Sequence, residues 1–342
     1  MTRRRLFFPA LIAVLAIGSC RGGCRRRDDR AATVEGRLAL FPVATKVVAA
    51  IDVARLRASP AAAKLAEKAQ QDQADQQQIE EFARRTGFDP LRHLTSVTVA
   101  FPEEARAHGE FGMVLRAEKL DETKLVAYAR DQLQKSGDDL VATPHGRFTL
   151  WSSKRDPDVV GFFIDAQTFA LGAGGWGPKM ADLAESARPV DSAATDVDLV
   201  NLVERAAGSH ALWAAAIVPE STRKELASDP QFSDAGAILT LSAGVDLGKG
   251  LEAQLLADLA TAAQAKSLAL KVTESLRNAK RNPEVLMLGI GPYLDGVTAT
   301  AVDHAFTVHA TLSEPAFDDL LARLGGLLAL MRSGSPIPGL AR

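Results

Sequence analysis

Residues 237–259 read AILTLSAGVDLGKGLEAQLLADL, two apolar-rich segments on either side of Gly248-Lys249-Gly250. A short break that contains glycine between two strand-like segments is a signal for a β-hairpin. A hairpin makes its two strands antiparallel. The stretch therefore predicts strands over 237–246 and 250–259 in an antiparallel sheet.

The residues that follow continue the pattern. Thr261 has the side chain of a helix N-cap, and a helix is predicted from there to about Arg281. Two strands over 297–302 and 305–312 turn at Asp303-His304. In the last predicted helix, 314–331, apolar residues recur at i, i+3, i+4 and i+7, so one of its faces is expected to cover a sheet.

The earlier part of the chain shows a similar order of strands and helices. Helices are predicted over 60–86, 121–135, 177–187 and 196–206, and strands over 46–52, 94–101, 110–116, 139–143, 147–152, 159–164, 168–172 and 210–217. The fold class is therefore α+β, with antiparallel sheets each covered on one face by helices. The repeated order predicts two duplicated domains, 46–190 and 208–332, and the alternative is a chance match of element order.

The N-terminus has the parts of an export signal. Three arginines at 3–5 precede the apolar run 6–17, which is too short for the about 20 residues that a membrane-spanning helix needs. A short basic segment followed by a run of this length is typical of a signal peptide, predicted here as 1–19. Thr2 to Phe7 is also compatible with a twin-arginine signal, so the general and the twin-arginine routes both stay open.

The end of this run, Ile17-Gly18-Ser19-Cys20, resembles the lipobox of bacterial lipoproteins. The resemblance implies cleavage before Cys20, acyl chains on its sulfur, and a membrane anchor that two or three chains make stable. Residues 20–45 would then form a lipidated linker. In this family an aspartate after the acylated cysteine signals retention in the inner membrane, so Arg21 favours the outer membrane of the cell envelope. The alternative is an uncleaved anchor with a chance cysteine.

Composition excludes some classes of function. The formal net charge of −2 becomes −5 without the three leader arginines, and residues 20–30 carry +3. A body of about −8 argues against binding to nucleic acid, whose phosphates need a basic surface. Cys20 and Cys24 are the two cysteines, so acylation of the first leaves no disulfide within the chain and no cysteine-based metal site. Cys24 is then incidental, modified, or cross-linked to a partner.

Motifs for catalysis, cofactors or metals are missing from the sequence. His304 and His309 are at odd spacing on a predicted hairpin, which directs them to opposite faces. The glycine-rich stretch 172–179 falls at a strand-to-helix turn, but Pro178 breaks the spacing of a phosphate-binding loop, which favours a plain tight turn. We therefore expect no cofactor, no metal and no catalytic residue.

The overall order of lipobox, linker and repeated strand–helix units is similar to that of envelope lipoproteins of unknown function from GC-rich bacteria. The sequence favours a non-catalytic envelope protein that binds a protein partner or has a structural role. Two alternatives stay open: a carrier of lipid or another apolar ligand, and a hydrolase with an unrecognised site. The proline-containing tail, 333–342, is expected to be disordered.

Overall fold

The structure is a computed structural model that describes residues 31, 33–63, 73–103, 109–208, 210–228 and 233–332. The signal peptide, Cys20, Cys24 and the tail 333–342 lie outside the described residues. The strands are β1 (Thr45–Asp52), β2 (Leu94–Pro102), β3 (Phe111–Ala117), β4 (Leu140–His145), β5 (Phe148–Ser153), β6 (Val160–Phe163), β7 (Thr168–Ala173), β8 (Leu212–Ile217), β9 (Ile238–Asp246), β10 (Gly250–Leu259), β11 (Val297–Val302) and β12 (Ala305–Ser313).

The α-helices alternate with groups of these strands. They are α1 (Val34–Leu38), α2 (Val53–Arg57), α3 (Gln73–Thr86), α4 (Pro90–His93), α5 (Glu122–Lys135), α6 (Trp176–Glu185), α7 (Val197–Ala207), α8 (Glu220–Ser228), α9 (Ala262–Arg281), α10 (Pro283–Met287) and α11 (Glu314–Arg332). Short 3₁₀ segments cover Ala193–Thr195, Ser233–Ala237 and Gly291–Gly296. Asp121 and Thr261 cap α5 and α9 with their side chains, as the sequence predicts.

The strands of the described residues form one sheet of 12 strands, in the order β11-β12-β10-β9-β8-β1-β2-β3-β7-β6-β5-β4, and each neighbouring pair is antiparallel. The two halves of the chain meet where β1 pairs with β8, with Ala50 opposite Trp213 and Val48 opposite Ala215. This pairing places residues from both halves side by side at the middle of the sheet.

In the first half, β1 to β7, helices pack on both faces of the sheet. On one face, Trp176 and Met180 of α6 and Leu199 of α7 belong to a core that also contains residues of α1. On the other face, Phe82 of α3 and Leu125 of α5 pack against β3, β6 and β7. Strand β7 is buried along its whole length, because both of its faces are covered.

In the second half, β8 to β12, the outer strands β10 to β12 have helices on one face, whereas α7 packs on the other face of β8 and β9. Ala265 of α9 lies against Phe306, and Phe317 of α11 packs near the other end of the same strands. The opposite face carries polar side chains, among them Thr298 and Thr300, which are exposed. These outer strands follow the rule that an antiparallel sheet can leave one face in water.

These findings confirm the α+β class with antiparallel strands and differ from the expected details in two ways. The expected separate sheets form one sheet, because β1 and β8 both have apolar faces and pair with each other. The expected covering of one face holds for the outer strands of the second half, β10 to β12, while the first half is covered on both faces. The division into domains 46–190 and 208–332 stays a prediction.

Two segments that the sequence assigns to connections are part of the core. Within the linker predicted for residues 20–45, Leu38, Leu40 and Phe41 are at most 2% exposed, so the body begins earlier than predicted. Helix α7 fills the predicted break between the halves and packs on β8, β9 and β1. Its residues Leu199 and Leu202 are fully buried, so α7 covers the junction of the two halves.

Candidate functional site

A cavity of about 180 Å³ lies at this junction, where the ends of β1 and β8 meet α1 and α7. Its polar lining comes from segments that are distant in sequence: Arg37, Asp52, Arg55, Ser96, His210 and Trp213. Apolar groups from Val34, Ala50, Ile51 and Ala207 complete the wall. The cavity therefore combines charged groups with a partly apolar wall.

The floor of the cavity is set by strand register. Asp52, Ser96, Arg116 and Thr168 are opposite one another on β1, β2, β3 and β7, so their side chains leave the same face of the sheet. This is the face that α1 and α7 cover. The row of polar side chains therefore runs beneath these helices, in a part of the sheet that is otherwise apolar.

Arg37 extends over this row from the last turn of α1. Thr33 caps the helix by accepting a hydrogen bond from the N–H of Gly36, and Leu38 anchors it in the core. The Nε atom of Arg37 is buried and has no hydrogen-bond partner. Within the described part of the chain, its guanidinium makes no hydrogen bond and no ion pair.

The surroundings of Arg37 disfavour its charge. Burial lowers the pKa of Arg37 below its usual value, the positive charge of Arg116 lowers it further, and the carboxylate of Asp52 acts in the opposite direction. Arginine stays protonated in proteins even so. The site therefore holds a charged group whose desolvation the described residues offset only in part.

Asp52 lines the cavity and is also the N-terminal cap of α2. Its Oδ1 accepts a hydrogen bond of 2.9 Å from the N–H of Arg55. This cap fixes the turn between β1 and α2 and places Arg55 at the edge of the cavity. Asp52 is the one carboxylate among the residues that line the cavity, so two guanidinium groups face a single negative charge there.

His210 closes the side of the cavity next to α7. Its Nδ1 lies 3.0 Å from the carbonyl oxygen of Ala206, so we assign the ring proton to Nδ1. The ring lies directly over Gly244, where a Cβ would overlap with it. The imidazole ring can therefore occupy this place only because residue 244 of β9 has no side chain.

Two hydroxyl groups on the same face of the sheet have no hydrogen-bond partner. Thr98 is 1% exposed and Thr168 is fully buried, and the Oγ1 of each is without a partner in the described structure. Most buried polar atoms in proteins have a partner. The polar character beneath α1 and α7 therefore extends beyond the cavity itself.

The other positions that the sequence singles out are not part of this site. The stretch 172–179 forms a tight turn in which Gly175 has φ 82° and α6 starts at Trp176, in line with the turn favoured by the sequence. His309 lies on the polar face of the second half, with its Nε2 3.3 Å from Glu252. His304 follows the hairpin turn at Asp303, which has φ 50°. Cys20 lies outside the described residues.

Sequence reasoning missed the cavity, because its charged residues belong to segments that seemed to have other roles. Arg37 is in the predicted linker, and Arg55 follows a predicted strand without any motif. A usable signal was present around Arg37: Thr33 is a cap residue, and the apolar run 38–41 follows it. Those residues predict a short helix packed on the body.

Two features are absent from the described residues. None of the helices combines the length and the apolar character needed to cross a bilayer. Histidine, cysteine and carboxylate side chains do not gather anywhere in this part of the chain in a group of three or more that could hold a metal ion.

Comparison with known proteins adds little. No family model matches the chain, and no curated protein is significantly similar to it. Among solved structures, it is similar to the one titled "Structure of crystal form I of TP0453", a Treponema protein, with a TM-score of 0.42 and 13% identity over 85% of this chain and 97% of that one. No statement about function follows from a likeness at this level.

Proposed function

We propose that this chain is a lipid-anchored protein of the bacterial cell envelope whose body has a non-catalytic binding role. The anchor rests on Cys20 and the residues before it, which match the lipobox pattern after a short apolar run. The same reasoning places the protein at the outer membrane, because Arg21 rather than an aspartate follows the cysteine.

The observation that carries the binding role is the guanidinium of Arg37. Arg37 is half-buried and its guanidinium makes no hydrogen bond to a described residue, so a ligand or protein partner that supplies acceptor atoms would offset part of the cost of taking this charge out of water. Arg55 also lines the cavity and is exposed, so such a group can contact this side chain from solvent.

Two features favour binding over catalysis or transport of an apolar molecule. Ser96 and His210 make no hydrogen bond to each other in the described structure, so they are not arranged there as a nucleophile–base pair. Charged side chains in the lining make the cavity a poor match for a purely apolar ligand.

The anchor is tested by replacing the two cysteines separately. Cys20→Ala is expected to abolish labelling with palmitate and to move the protein from the membrane fraction to the soluble fraction, because no acyl chain remains. Cys24→Ala is the matched control and should keep both the label and the membrane fraction. A Cys20→Ala protein that stays labelled and membrane-bound would contradict the proposal.

A further inference from the structure

We propose that the cavity binds an oxyanion, either inorganic phosphate or the phosphate group of a small ester or lipid headgroup, through Arg37 and Arg55. This inference deepens the proposed binding role and rests on it. It names the chemistry that the cavity recognises.

The first argument is charge. Arg37 and Arg55 line the cavity, and Asp52 is the one carboxylate in the lining. Asp52 is already engaged with the backbone of α2. The two guanidinium groups of the lining therefore carry one more positive charge than the single carboxylate of the lining offsets, and an anion fits this excess.

The second argument is the type of donor. Guanidinium groups hold phosphate oxygens through paired N–H donors, and such charge-assisted hydrogen bonds are stronger than neutral ones. The Nε of Arg37 has no acceptor in the described structure, and the Oγ of Ser96 on the floor of the cavity also makes no hydrogen bond there. The guanidinium groups of Arg37 and Arg55 and the hydroxyl of Ser96 belong to residues that line the cavity, and together they supply the N–H and O–H donors that an oxyanion needs.

The third argument is size and shape. A volume of about 180 Å³ is small beside the roughly 300–1,000 Å³ of pockets for drug-sized ligands. It admits a phosphate group and a short substituent. Trp213 and Val34 form part of the wall, so an uncharged substituent would pack against apolar surface there.

The test uses the full chain purified in an uncharged detergent. Inorganic phosphate is titrated in one arm and dihexanoyl phosphatidic acid in the other, with sodium chloride at matched ionic strength as the control. Calorimetry gives Kd, and thermal unfolding gives the rise in Tm that binding to the folded state produces. Saturable binding in either arm is expected, and the tighter arm identifies the source of the phosphate group.

Variants locate the binding to the cavity. Arg37→Gln is expected to weaken binding at least about tenfold, because a charge-assisted hydrogen bond is lost. Arg37→Lys keeps the charge without the paired donors, so its affinity should lie between that of the unaltered chain and that of Arg37→Gln. It provides the test if Arg37→Gln does not fold. Arg130→Gln is the matched control, because Arg130 is exposed on α5, which packs on the opposite face of the sheet. It should bind as the unaltered chain does.

Binding of phosphate that is unchanged in Arg37→Gln would overturn the proposal, and so would the absence of saturable binding in both arms. Failure of the oxyanion assignment is distinguishable from failure of the proposed function. The Arg37→Gln protein should still carry palmitate on Cys20 and stay in the membrane fraction. Release of a different, uncharged molecule from the denatured protein would keep the binding role and reject the oxyanion.

Discussion

The two halves of the sheet differ in how many of their faces are covered. Strand β7 in the first half is buried at every residue, whereas β11 in the second half alternates between half-buried and exposed residues. The sequences show the same contrast: TFALGA is nearly all apolar, and VTATAV alternates. An antiparallel strand covered on both faces thus has the continuous apolar run that is usual for parallel sheets, because burial rather than strand direction sets the pattern.

The candidate site lies at the boundary between these two halves. Arg37 and Asp52 belong to the first half, and His210 and Trp213 belong to the second. A boundary is a suitable place for charged side chains, because α1 and α7 leave a cavity there between themselves and the ends of β1 and β8. The interior of the first half is packed from both sides, and Trp176 and Met180 are at most 1% exposed there.

The largest expected effect on stability comes from removing a large side chain that is buried in the core of the first half. Trp176→Ala should destabilise the fold by about 3–5 kcal/mol, because a 1%-exposed indole is lost from the core. Val302→Ala on the polar face of the second half should change stability by less than about 0.5 kcal/mol, since Val302 is 70% exposed. Chemical denaturation measures both, and similar values for the two variants would break the comparison.

A smaller effect is expected from adding a methyl group in each half. A Cβ at Gly172 would overlap with the backbone of Gly177 at the start of α6, so Gly172→Ala should cost about 1–3 kcal/mol. Gly248→Ala in the hairpin of the second half is the control, because its nearest neighbour would be 3.8 Å away. Thermal unfolding should show a clear loss for the first variant and little change for the second. A neutral Gly172→Ala would show that the packing of α6 on β7 is looser than described.

The smallest effect concerns ion pairs at the boundary. Lys46 on β1 lies 2.9 Å from Asp196, the N-cap of α7. Burial raises the pKa of Asp196, but hydrogen bonds from Lys46 and the N–H of Leu199 outweigh it, so the net pKa is lowered. A carboxyl whose pKa is lowered by folding stabilises the folded state above the unfolded pKa of 3.8, and that contribution is lost as the pH falls below it.

Asp196→Asn should therefore cost up to about 1 kcal/mol at pH 7, with the difference from the unaltered chain disappearing toward pH 3. Asp295→Asn is the counterpart in the second half, where Asp295 pairs with Lys280 at 2.7 Å but is 73% exposed. We expect no measurable change from it at either pH. Urea denaturation as a function of pH compares the two, and a constant effect of Asp196→Asn across this range would contradict the assignment.

The sequence predicts those features of the structure that depend on residues close together in the chain. It does not predict features that depend on contacts between distant segments. The helix capped by Thr261 and the hairpin at 248–250 were predicted at their observed positions, because caps and turns act within a few residues. The pairing of β1 with β8 was not predicted, because the two strands are about 160 residues apart and neither has a sequence signal that specifies its partner. The cavity was missed for the same reason, since Arg37, Asp52 and His210 meet only after this pairing forms.

Backbone hydrogen exchange of β1 and β8 tests most directly whether the two halves share one sheet. If Val48 and Ala215 lie opposite each other in a central pair of strands, the amides of both strands should exchange as slowly as those of β2. Rapid exchange of every second amide along β1 and β8, as in strands at the edge of a sheet, would show two separate sheets. That result would remove the junction on which the cavity depends.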